Sequence, residues 1–226
     1  MAPTTATTAA AKEAQVETHP SHLKHYFVSS EQQFDAAKLG MWLFLVTEIL
    51  LFSGMFVAYT VFRIWHPEVF VESSTELNPW LGGLNTLVLL LSSLTVALAI
   101  HSAQSDDRKG LVRNLIITVL LAAVFMVVKY FEYTHKFHLG IFPGGFFSYE
   151  EMTNPYAPIF FSIYFVMTGI HGVHVLIGMG LLSWLASRAY RGHFSSDYYT
   201  PVELTGLYWH IVDIIWIFLF PLMYLI

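Results

Sequence analysis

The sequence predicts an all-α integral membrane protein, a bundle of five transmembrane helices preceded by a polar N-terminal tail. Three observations lead there. Of 226 residues, 55% are hydrophobic and only 12% are charged, with a mean hydropathy of +0.56, whereas a soluble domain of this size carries roughly 25% charged residues. Five apolar runs each meet the roughly 20 residues that a helix needs to cross a bilayer. Those runs are too long for strands, and in lipid a non-barrel chain is helical because every backbone N–H and C=O must find a partner within its own segment.

Residues 1–35, MAPTTATTAAAKEAQVETHPSHLKHYFVSSEQQFD, form the first region. The stretch is polar and rich in Thr and Ala, with no apolar core of the kind a signal peptide needs. It reads as a retained cytoplasmic tail of a composition that ordinarily stays unfolded, with His19, His22 and His25 solvated rather than bound to metal. Residues 36–226 form the membrane domain, with spans at about 38–65, 80–103, 111–135, 157–189 and 202–226. Pro79, Pro158 and Pro201 stand at helix entrances, where a missing N–H costs little.

Loops rich in Lys and Arg stay in the cytoplasm. With the N-terminus inside, Lys12, Lys24, Lys38, Arg108, Lys109, Arg113, Arg188 and Arg191 are inside, and only Arg63, Lys129 and Lys136 are outside. The sequence therefore predicts a cytoplasmic N-terminus and a C-terminus on the outer side. The chain has no cysteine, which removes disulfides, thiolate metal sites and iron–sulfur clusters. A net charge of −5 without a long basic run argues against nucleic acid as a partner. GxxxxGK[ST], GxSxG and HExxH are all missing, so the sequence points to no catalytic residue and no catalysis by this chain alone.

Ionisable side chains within spans are costly and mark candidate sites. At 1.5 Å per residue, and with helix midpoints near residues 50, 170 and 214, Glu48 lies about 3 Å to the cytoplasmic side of the midplane. His174 and His210 lie about 6 Å to the same side, with His171 and Asp213 close to the midplane. His171 and His174 share a helix face, as do His210 and Asp213, so Asp213 is placed to accept a hydrogen bond from His210. Three readings of this layer stand side by side. The groups satisfy one another between packed helices; or Glu48 and the histidines line a proton pathway; or His174 and His210 are axial ligands of a haem, with Gly169, Gly172, Gly178 and Gly180 giving it room. Those glycines serve close helix packing equally well.

Trp209 and Trp216, seven residues apart on the face of Asp213, are expected to pack against protein. Nearer the outer surface, Lys129, Glu132 and His135, with Lys136, predict an ion-paired rim where a helix end meets the headgroups. Tyr130, Tyr133 and Phe137 would be its aromatic belt, with Trp42, Trp65, Trp80, Tyr208 and Tyr224 in the same role at other helix ends.

Four segments carry a resemblance. TEILLFSGMFVAY, GLNTLVLLLSS, TGIHGVHVLIG and YWHIVDIIWIFLF closely resemble, in order and spacing over about residues 36–226, subunit III of the haem-copper terminal oxidases, chiefly cytochrome c oxidase. The resemblance implies an accessory subunit of a proton-pumping oxidase in aerobic respiration that binds no haem, copper or other metal itself. Those centres belong to its partners, subunits I and II, and the haem reading of His174 and His210 falls away. It also implies phospholipid in a cleft, support of proton uptake and, in some settings, a larger respiratory supercomplex. Glu48 matches the family's membrane-buried glutamate, His171 and His174 its paired histidines, His210 and Asp213 the pair on its last helix, and Trp209 and Trp216 the flanking tryptophans. Many members have seven spans, whereas this chain shows five and starts where the third would stand, so another chain or lipid must form the far wall of the cleft. Subunit III of a quinol oxidase or of a nitric-oxide-reductase-type complex would share these motifs. An independent proton or lipid transporter is the alternative of another class.

Overall fold

A computed structural model describes residues 23–142, 147–148 and 154–226; Lys12, His19 and His22 of the expected tail lie outside them. Among the described residues six helices follow in order: α1 (Ser30–Trp65), α2 (Pro67–Ser74), α3 (Pro79–Gln104), α4 (Arg108–His138), α5 (Ala157–Tyr190) and α6 (Thr200–Tyr224). All but the short α2 are long and apolar enough to cross a membrane, and the protein is a multi-pass helical membrane protein. The chain divides into two compact units, Met1–Gly40 and Met41–Ile226.

In the first unit, α1 begins eight residues before its apolar run, and the cause is local. The Gln32 N–H donates to Ser29 Oγ at 3.1 Å, while Gln32 Oε1 reaches back to accept from the Val28 N–H at 2.9 Å. This reciprocal arrangement satisfies donors that a helix start leaves free. Hydropathy cannot register it, because every participating group is polar.

In the second unit, α3, α4, α5 and α6 close a ring in which each helix packs on its sequence neighbour and α6 returns to α3. Asn78 Oδ1 accepts from the N–H groups of Trp80 and Leu81 to start α3, and Asp107 Oδ1 accepts from the Gly110 N–H to start α4. Both α4 and α5 end in a left-handed residue, Gly140 (φ 74°) and Gly192 (φ 76°). The following N–H groups, of Ile141 and His193, turn back to the carbonyls of Lys136 and Arg188; only glycine adopts that φ without strain. Close approach of helices rests on three other glycines. A Cβ on Gly178 would fall 2.7 Å from the Trp209 ring, one on Gly82 2.6 Å from Phe220, and one on Gly206 2.5 Å from Ile100.

From Met41 onward α1 is fastened to the ring by long side chains rather than by close backbone packing. Tyr59 donates its hydroxyl to the Leu222 carbonyl at 2.5 Å, Phe56 meets Phe218 edge to face, and Phe52 does the same to His174. Trp42, Trp65 and Trp80 are exposed, which suits a belt at the lipid surface. Tyr208 and Tyr224 are not in that belt: they are 4% and 3% exposed, because each points its hydroxyl at a partner inside the bundle.

Candidate functional site

The mid-depth layer is built from α1, α3, α5 and α6. Glu48 and His174 come from helices 126 residues apart in sequence and meet at 2.8 Å, Oε2 to Nε2. Both side chains are largely buried, at 15% and 13% exposure. The other ring nitrogen, Nδ1, lies 2.8 Å from the Ile170 carbonyl one turn back. A carbonyl only accepts, so Nδ1 carries the hydrogen. One proton then lies between Nε2 and the Glu48 carboxyl, giving either a neutral imidazole with a carboxylic acid or an imidazolium with a carboxylate. Neither form carries net charge, which is why the pair can face lipid-depth surroundings. Neither nitrogen of His174 is left to ligate a metal, so the structure does not fit His174 as a haem ligand.

His210 and Asp213 do not pair directly. Ser93, across the helix interface on α3, places its hydroxyl 2.6 Å from His210 Nδ1. Asp213 is 3% exposed, and its Oδ1 has no hydrogen-bond partner among the described residues.

His171 and His174 likewise part company. His174 faces α1, whereas His171 points into the ring, fully buried, stacked on Trp216 at 5.3 Å and edge-on to Phe125 at 5.7 Å. Both nitrogens of His171, and both polar atoms of the fully buried Asn85 on α3, lack partners among the described residues. An unmet polar group of this kind costs about 1–3 kcal/mol. Trp209 and Trp216 are buried and anchored through their indole N–H groups, to Ser92 Oγ at 3.0 Å and Thr86 Oγ1 at 3.1 Å.

The outer cluster departs most from expectation. Lys129, Glu132 and Lys136 are 6%, 8% and 3% exposed, so they form a buried node and not a rim. Lys129 Nζ donates to Glu132 Oε2 at 3.0 Å, to the Tyr164 hydroxyl at 3.2 Å and to the Tyr224 hydroxyl at 2.7 Å. Tyr164 and Tyr224 in turn donate to Glu132 Oε1, and the Lys129 ammonium sits 5.0 Å from the Trp216 ring. Lys136 donates to the Glu76 carbonyl, on the segment that follows α2. His135, between them in sequence, faces outward. Sequence reasoning missed Ser93, Asn85, Tyr164 and Tyr224. Tyr164 had a signal, since it lies seven residues before His171 on the stripe that α5 buries.

Among the described residues no three His, Asp or Glu side chains are grouped to hold a metal ion. A ring of four spans with a fifth riveted alongside, polar at mid-depth and charged inside towards the end of α4, defines a multi-pass helical bundle. The family model described as Cytochrome c oxidase subunit III matches residues 24–226. A cytochrome c oxidase subunit 3 of Thermostichus vulcanus is 35% identical over 193 residues, covering 85% of this chain and 88% of that one. One of Loxodonta africana is 33% identical over 207 residues, covering 84% of this chain and 69% of the relative. The chain belongs to the cytochrome c oxidase subunit III family.

Proposed function

We propose that the chain is the accessory subunit III of a proton-pumping haem-copper terminal oxidase, packed beside subunit I in a bacterial cytoplasmic membrane with its N-terminus in the cytoplasm. The observation that carries this is the family match, which runs from residue 24 to residue 226 and takes in every membrane-spanning helix and the Glu48–His174 pair. The chain holds no redox centre; it stabilises the catalytic subunits, which carry haem and copper, and seats phospholipid. The test is purification of the intact complex from native membranes beside the chain alone. A colourless chain and a complex that contains haem and copper and reduces oxygen are expected. Stoichiometric haem in the isolated chain would overturn the assignment.

The second part of the proposal concerns protons. Glu48 and His174 share one proton between them, Ser93 is hydrogen-bonded to His210, and Asp213 lies three residues further along α6. These groups support proton uptake by the assembled oxidase. Glu48→Gln and Asp213→Asn keep the shape of each side chain and remove its exchangeable carboxyl proton. Slower proton uptake at unchanged assembly is expected from both, whereas unchanged uptake with reduced assembly assigns them to packing.

A further inference from the structure

Where α4 begins, a groove of about 590 Å³ runs along the seam between α4 and α5, lined by Arg108, Lys109 and Arg113 at its mouth and by Val112, Ile116 and Ile117 below, with Tyr190 as the opposite wall. We propose that this groove seats one anionic phospholipid, its phosphate on the three cations and its acyl chain along the isoleucines.

The cations are not neutralised by ion pairs. Lys109 and Arg113 stand four residues apart on one helix, a spacing at which like charges repel, and no carboxylate among the described residues pairs with them or with Arg108. The two nearest aspartates in sequence turn to neutral donors, Asp107 to the Gly110 N–H and Asp106 to the Ser196 amide and hydroxyl, so they soften the positive mouth without pairing with it. Arg108 is held in place, its Nε donating to the Ala189 carbonyl at 3.2 Å and its guanidinium lying over Tyr190 at 5.9 Å. One turn deeper the lining becomes aliphatic, with Ile116 46% and Ile117 37% exposed. A soluble anion has no use for that floor, and a zwitterionic lipid brings its own ammonium to the mouth, where the cations repel it. The outer half of the same seam, at Met126, Tyr130, Gly172 and Val173, offers an apolar groove whose one cation, Lys129, is committed to Glu132. Preference for negative charge should therefore exist at one end of the seam only. The inference needs only the membrane placement of the helices and not the oxidase assignment, so the two fail separately.

The absence of cysteine gives a direct test. The full chain carrying Ile117→Cys, labelled with bimane, is placed in phosphatidylcholine nanodiscs doped with a minor fraction of acyl-brominated phosphatidylglycerol or acyl-brominated phosphatidylcholine. Attraction near the surface enriches an anionic lipid about fivefold per cation, so the phosphatidylglycerol should quench far more strongly. In Lys109→Gln/Arg113→Gln, which leaves the structural Arg108 bond intact, the difference should fall by more than tenfold; a label at Val173→Cys should show none. Equal quenching by the two lipids at Ile117, a preference that survives the double substitution, or the same preference at Val173 overturns the proposal.

Discussion

Replacing Lys129 by Met removes one half of a buried ion pair while nearly keeping its volume. Breaking such a pair costs about 3–5 kcal/mol, because the surviving charge stays buried without its partner. Here the surviving Glu132 keeps two hydroxyl donors on Oε1, from Tyr164 and Tyr224, and loses only the donor to Oε2. The expected cost therefore lies near the lower end, about 3 kcal/mol, which for a domain of this size lowers Tm by roughly 6–12 °C. In Lys129→Met/Glu132→Met the pair leaves together, the Tyr164 and Tyr224 hydroxyls still face each other at 3.3 Å, and Lys136 loses the nearby carboxylate but still reaches the Glu76 carbonyl. The double variant should cost about 1 kcal/mol. The assay is a double-mutant cycle by thermal unfolding of the full chain in detergent micelles. Additive single costs, or a loss below about 1 kcal/mol in Lys129→Met, would refute a buried, mutually dependent pair and restore the exposed rim.

Two further outcomes follow from the fold. Gly178→Ala drives a methyl to 2.7 Å from the Trp209 ring and should destabilise by about 1–3 kcal/mol. Gly180→Ala, with nothing within 4 Å of its Cβ, should be neutral or slightly stabilising; the two melting curves, taken together, check the helix contact. At the α3–α4 loop, hydrogen bonds from the Ser196 hydroxyl and amide hold the Asp106 carboxyl below its ordinary value of 3.8. A depressed carboxyl stabilises above the unfolded value and loses that contribution as pH falls through the folded one. The protection factor of the Ser196 amide, taken against its own pH-dependent intrinsic exchange rate, should thus hold near neutrality and fall below about pH 4. Ser196→Ala should remove the hydroxyl's share of the protection; a protection factor that ignores pH would show that the loops are not clasped there.

How much of this was readable beforehand differs by residue. The five spans followed from hydropathy, since a bilayer imposes length and apolarity on any helix that crosses it. Counting depth from the helix midpoints put Glu48 and His174 at nearly one level, and they are hydrogen-bonded. The same counting could not say which way His171 turns, because three residues on a helix differ by some 60° in direction, enough to send one ring towards α1 and its neighbour towards Trp216. His210 and Asp213 were expected to pair by proximity along one helix, but Ser93 on another helix takes His210 and leaves Asp213 Oδ1 without a partner among the described residues. The Lys129 cluster carries identical spacing whether exposed or buried. What decides is the cover supplied by Tyr164, Tyr224 and Glu76, all remote in sequence.

The Glu48–His174 contact closes over 126 residues of chain, and that separation has a cost in time. Ribosomes add about 5–20 residues per second, so α1 enters the bilayer about 6–25 seconds before the helix bearing its histidine exists. Throughout that wait the carboxyl has no native partner within the nascent chain. Shelter at this stage falls to the insertion machinery or to a waiting neighbour, and biogenesis of the subunit is paced by the arrival of α5.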